Sequence, residues 1–410
     1  MSSGASTRDT APHRGQDAAV AVRKWFAAAG VCALLWAAWS ARPFVRGLSL
    51  VIRAANVQGV TRTVAELDTV TMTERSIVVP LPFAPTRARA YEPAGAPRQT
   101  VLLIPGLQVA GIDDPRMIAL SRELARSGVL VLTPDIPELS RFEITTALTD
   151  RIEQAALWLA GPSGLARDHR VGLIGVSFSG GLAIVAAGRT SMRDRVSYVF
   201  AIGAHDDLPR VLRYVATGHP PPSPASASGL GAVAAVPPHD YGVAVLLLAI
   251  AERLVPPDQT QVLTDAVRRH LAASYEERID ARAAAREFAA LRELARTLPE
   301  PSASLLDSLN SRDVARLGAR LLPYIGFYGD DPALSPARSP RPTAPVYLLH
   351  GRDDNIVPAV ESEYLAADLA GNTSVRLLLT NLISHAEPVW PAPAAEVTAL
   401  ASFLGDVLDR

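Results

Sequence analysis

Cysteine is almost absent from this chain. Cys32 is the single one in 410 residues, which excludes an intramolecular disulfide and a thiolate metal centre. Lysine is as scarce, Lys24 being the only one among 40 basic residues. No Gly-Lys-Ser/Thr phosphate loop is present, and no GxGxxG for a dinucleotide. Aromatic residues make up 6% of the chain and the net charge is −1, so neither a base-stacking platform nor a basic field speaks for nucleic acid. No group of His, Asp and Glu has metal-ligand spacing. The expectation is an enzyme or binding protein with no metal, no cofactor and no nucleic-acid partner. Sequence offers nothing on oligomeric state.

What the chain has in quantity is apolar residues, 49% of the total, enough for a sizeable core. Residues 1–22 are polar and small and read as disordered. Trp25–Ala41 is then free of charge and bounded by Lys24 and Arg42. At 17 residues it sits at the short end of what crosses a bilayer, ~17–25, with Trp25, Trp36 and Trp39 suited to the interface. Two readings stand: a single membrane anchor over 23–42, or a signal segment cleaved to leave a secreted protein. The run is longer than a usual signal core, which favours the anchor. Arginines on both sides leave its orientation open. Residues 44–57 have helical apolar spacing and are read equally as a helix on the membrane surface or one against the domain, within an amphipathic linker, 43–75.

From Ser76 onward the pattern is strand and helix in alternation. Residues 76–82 and 87–93 predict an opening hairpin. Residues 100–106, 128–137, 170–176 and 196–204 predict strands buried on both faces, with helices over 115–127, 143–161 and 178–188 between them. That order implies a mostly parallel, doubly wound sheet. The alternation stops near Leu208. Residues 220–233 read as a flexible loop rich in Pro, Ser and Gly. Residues 243–255 are apolar but too short for a good membrane span, and 259–298 read as two solvated amphipathic helices. Strands return at 344–351 and 374–380, with helices at 361–370 and 391–408. The expected organisation is a core over 76–208 and 341–410, split by a helical insertion over 209–340.

Gly175-Val176-Ser177-Phe178-Ser179 lies between a buried strand and an apolar helix. A nucleophile turn needs that context and small residues flanking the serine. The following helix N-terminus offers N–H groups where negative charge would develop. A serine hydroxyl needs an imidazole to take its proton and a carboxylate to orient that imidazole. His350-Gly351-Arg352-Asp353-Asp354 follows one late strand and His385 follows the next, so Ser, Asp and His come in order, each on a strand-end loop. His350 reads as structural, Asp113 and Asp114 as capping residues, and His219, His239 and His270 as surface positions by default.

With these motifs the chain resembles the α/β-hydrolase superfamily over roughly 76–208 and 340–408. The resemblance implies Ser177 as nucleophile, His385 as base and Asp354 as acid, with Asp206 as the alternative acid. It also implies an oxyanion hole from the Leu107 and Phe178 N–H groups. Two departures stand out: Ser179 where glycine is usual, and Pro105 where the family's oxyanion loop carries histidine. The expected activity is hydrolysis of a small-molecule or lipid ester through an acyl-enzyme, as in a carboxylesterase or lipase. A thioesterase or peptidase using the same residues, and a non-catalytic membrane-tethered binding protein of the same fold, are the alternatives. The substrate is not legible.

Overall fold

The computed structural model describes residues 39–224, 237–384 and 393–410, together with Cys32 and Trp36. Two helices come first, α1 (39–54) and α2 (Val60–Glu66). The hairpin β1 (Met72–Val79) and β2 (Thr86–Pro93) follows, then β3 (Gln99–Ile104), α3 (Pro115–Arg126) and β4 (Val129–Pro134). A short helix α4 (Pro137–Ser140) precedes α5 (Ala147–Ala160), β5 (Val171–Val176), α6 (Phe178–Gly188) and β6 (Val196–Ile202). Helices α7 (Leu208–Thr217), α8 (Asp240–Leu254), α9 (Pro257–Glu276), α10 (Ala281–Thr297), α11 (Ser302–Asn310), α12 (Val314–Leu321) and α13 (Ile325–Gly329) form the insertion. The chain ends with β7 (Val346–Gly351), α14 (Val360–Leu369), β8 (Val375–Thr380) and α15 (Ala394–Leu408).

The strands pair in the order β1-β2-β4-β3-β5-β6-β7-β8. Strand β2 runs against both its neighbours, and β3 to β8 are parallel. The period of two divides the side chains cleanly. Val101, Leu103, Val131, Ile174, Phe200 and Leu349 face α1, α3 and α15. Leu102, Ile104, Leu132, Leu173, Ala201 and Leu348 face α5, α6 and the insertion. Burial on both faces is why these strands read as unbroken apolar runs. The strand order, the serine turn after β5 and the insertion between β6 and β7 make this an α/β-hydrolase fold, as the resemblance implies.

Asp114 accepts from the N–H groups of Arg116 and Met117 and caps α3, with Pro115 at its first position. The apolar stretch 243–255 is α8, apolar because Val243–Leu248 are all buried. The amphipathic pair is α9 and α10. The short helices α11, α12 and α13 had no expectation from sequence. Most of the loop expected at 220–233 lies outside the described residues.

At the N-terminus one of two even readings is settled. Helix α1 lies against the domain. Gly47 and Gly405 let it approach α15 so closely that a Cβ on Gly47 would stand 1.9 Å from the Ala401 carbonyl oxygen. Leu50 and Val51 are buried, worth roughly 1.5–3 kcal/mol each by transfer. Arg53 is 3% exposed, with its guanidinium on Glu123 (2.7 Å), the Ala65 carbonyl (3.0 Å) and Ser127 Oγ (2.6 Å). The expected linker 43–75 is thus a packed part of the molecule as far as α2. No helix among the described residues is long and apolar enough to cross a membrane; most of the Trp25–Ala41 run lies outside them.

Candidate active site

Strand β5 is interior to the sheet, and the chain leaves its carboxyl end through a single residue, Ser177, before α6 begins. Ser177 has φ 58° and ψ −132°, a conformation that a non-glycine residue adopts at a cost of about 1–3 kcal/mol. Its neighbours enforce it. The Ser177 N–H donates to the Ile202 carbonyl at 2.6 Å, and its own carbonyl accepts from Gly180 N–H at 2.8 Å. Gly175 must lack a side chain, because a Cβ there would meet the Ser179 carbonyl oxygen at 2.4 Å. A Cβ on Gly181 would strike the His205 ring at 2.4 Å. Ser177 lines a cavity of about 560 Å³.

The two departures from the family pattern are structurally linked. Ser179 Oγ donates to the Pro105 carbonyl at 2.6 Å, in a fully buried position. Tyr241 OH, from the first turn of α8, donates to the Leu107 carbonyl. The loop after β3 is therefore held from both sides, and its backbone packs on the serine; a Cβ on Gly106 would lie 3.2 Å from Ser177 Cβ. Among the described residues neither the Leu107 N–H nor the Phe178 N–H donates to another group. Gly106, Leu107 and Ser177 share the cavity wall. Of the acids on this loop, Asp113 binds Arg87 and Arg89.

Asp354 follows β7 and is buried. Its Oδ1 accepts from the N–H groups of Ile356 (2.9 Å) and Val357 (3.0 Å), and its Oδ2 lies 3.3 Å from His350 Nε2. His350 is structural, as expected, wedged between Ser362 Oγ and the Val357 carbonyl. Asn355 and Ile356, which follow Asp354, line the cavity. His385 lies outside the described residues. The residues just before it, Ile383 and Ser384, line the same cavity, and their carbonyls lie beside Gly351.

Asp206, after β6, has other company. It shares the Arg210 guanidinium with Glu361, at 2.8 Å from Asp206 and 2.6 Å from Glu361; like Asp354 it does not itself line the cavity, but unlike Asp354 it has no lining residue directly after it. Burial, opposed by Arg210, pushes its carboxyl up to about 6. Next to it the His205 ring stacks on Phe178, centroids 4.9 Å apart. Burial lowers its pKa, and Nε2 sits 2.7 Å from the Leu334 carbonyl.

The insertion contributes directly. His239 and Tyr241 line the cavity, and His239 N–H donates to the Asn355 carbonyl at 2.9 Å, tying the insertion to the Asp354 loop. His239 Nδ1 lies 2.7 Å from Asp240, whose other oxygen faces His270 and Arg312. Burial would raise the Asp240 carboxyl, but the two imidazoles and the guanidinium outweigh it and hold it well below the usual range. The surface default from sequence fails for His270, which is buried, and holds for His239, which is exposed and also lines the cavity. Pro-Pro-His-Asp-Tyr was the available signal. Among the described residues no cluster of His, Cys, Asp or Glu could hold a metal ion.

No family model matches the chain, and no curated protein does. Solved structures resemble it at low identity. An esterase from Pyrobaculum calidifontis is 16% identical over 90% of this chain and 92% of its own, with a TM-score of 0.44. A thermostable esterase from Pseudomonas putida is 12% identical over 88% and 87%, TM-score 0.44. A dienelactone hydrolase from Anabaena variabilis is 17% identical over 82% and 96%, TM-score 0.39. At these values the likenesses say nothing about activity, and the function has to be argued from the site.

Proposed function

We propose that the protein is a serine hydrolase that cleaves an ester through an acyl-enzyme. The observation that carries this reading is Ser177, held at positive φ on the wall of a cavity that Leu107 also lines, with no acceptor among the described residues for the Leu107 or Phe178 N–H. Strained backbone held in place by its surroundings is characteristic of reacting residues. In the proposed reaction Ser177 Oγ attacks the ester carbonyl while its proton passes to His385. The Leu107 and Phe178 N–H groups hold the oxyanion. The single bond between the acyl carbon and the alkoxy oxygen breaks, the carbonyl re-forms, and the alcohol departs with the proton from His385. A water then attacks the acyl-serine by the same route, giving the acid and free serine. His385 enters from the resemblance and from its neighbours Ile383 and Ser384 on the cavity wall. Asp354 is preferred to Asp206 as the acid. Its loop borders the cavity, whereas Asp206 is committed to Arg210.

A fluorophosphonate probe and p-nitrophenyl butyrate test the reading. Wild type is labelled and Ser177→Ala is not, with turnover down at least about a thousandfold. His385→Ala and Asp354→Asn lose most turnover, and Asp206→Asn keeps most of it. Labelling that persists in Ser177→Ala would sink the nucleophile. No labelling of wild type would favour a non-catalytic binding protein.

The N-terminal run Trp25–Ala41, whose last residues open α1, is proposed as a single membrane anchor, with cleavage and secretion as the other outcome. The exposed Trp36 and Trp39 support it.

A further inference from the structure

The cavity over Ser177 does not end under the insertion. It continues beneath the sheet, on the face that α1, α3 and α15 cover. There its wall is Phe200 from the sheet, Met117 and Leu120 from α3, Leu404 from α15, and Val51 and Ala54 from α1. The polar and charged lining includes Gln108, which follows Leu107 and accepts from Arg116 at 3.1 Å, His239, which is hydrogen-bonded to Asn355, and Asp114, Glu277 and Arg278. Ala54 lines the cavity and is also solvent-exposed, so the apolar end reaches the surface beside α1. A cavity with the nucleophile on its wall and a run of aliphatic side chains beyond it fits one kind of occupant. A compact acid such as acetate would touch none of the distal wall, and a charged acyl group would be desolvated there without a partner.

We infer that this apolar passage holds the acyl chain of the substrate, and that the protein acts on esters of long, unbranched aliphatic acids, with α1 forming the far wall. The inference rests on the Ser177 reading for its catalytic part only, since a chain can occupy the passage whether or not the serine reacts. The volume of about 560 Å³ lies within the ~300–1,000 Å³ of small-molecule sites. Each methylene that enters the passage should raise kcat/KM roughly threefold to fourfold until the wall is reached. The role of α1 explains why a segment ahead of the core is packed by a glycine–glycine contact and a buried arginine: a helix that walls a substrate passage has to be held rigidly.

The test uses the full chain, p-nitrophenyl esters from acetate to palmitate, and binding of the fluorescent fatty acid cis-parinaric acid. Ala54→Trp fills the passage from an exposed position, and Leu404→Trp does so from a half-buried one, with melting curves to show that each is folded. Wild type should favour chains of twelve carbons and longer. Each tryptophan should lower the ratio of palmitate to acetate kcat/KM at least tenfold and weaken parinarate binding, while Ser177→Ala binds parinarate like wild type. A preference for acetate or butyrate in wild type, or parinarate binding unchanged in both tryptophan variants, would overturn the passage. If no ester is hydrolysed but parinarate binds and is displaced by the tryptophans, the passage stands and the Ser177 reading falls.

Discussion

Single residues in this molecule do their work in pairs. Ser179 and Pro105, each a departure from the expected pattern, compensate one another through the 2.6 Å hydrogen bond between them. A glycine at 179 would remove that tie, whereas the acceptor is main-chain and is present whichever residue stands at 105. Asp206 and Glu361 are a second pair, sharing Arg210. One guanidinium between two buried carboxylates leaves the charged form of Asp206 underpaid in hydration, and its pKa rises to about 6. A carboxyl whose folded pKa lies above its unfolded value of ~3.9 contributes stability below that unfolded value. The contribution is lost as pH rises through about 6. Asp206→Asn removes the titration. Its melting temperature relative to wild type should therefore rise between pH 4 and pH 7, by the equivalent of on the order of 2 kcal/mol. A difference independent of pH would show that Asp206 does not titrate in this range. Nothing around Asp206 in the sequence signals this, because Glu361 stands 155 positions away.

At the scale of elements, α1 is the informative case. Its apolar spacing gave a helix but not a partner, since the same amphipathic face suits a membrane surface or a protein core. What decides is complementary shape. Gly47 on α1 meets Ala401 and Gly405 on α15, and Gly405 meets Pro43. Gly47→Leu would force the helices apart. We expect a loss of about 1–3 kcal/mol, read as a lower urea midpoint with unchanged m. A midpoint equal to wild type would mean that α1 does not dock as described. The core strands were legible to within a few residues because burial on both faces leaves unbroken apolar runs, and α3 because Asp114 and Pro115 mark its start. Helices α11 to α13 were not, since elements of nine residues or fewer present too little periodicity to be read.

For the whole molecule, the open question of attachment is tested by alkaline carbonate extraction of membranes. The full chain should stay with the membrane fraction and a chain beginning at residue 43 should not; full-length protein washing off would remove the anchor. The sequence by itself determined the alternation of strands and helices, the place of the insertion and the position of Ser177 in a strand-to-helix turn. All of these follow from local periodicity and from residues adjacent in the chain. Only the tertiary structure decided that Ser179 holds the Pro105 loop, that Asp206 belongs to Arg210, that His239 and Tyr241 reach the site from the insertion, and that α1 walls the cavity. Those facts depend on which surfaces meet across tens or hundreds of positions, and hydrophobic pattern records that a face is buried without recording against what.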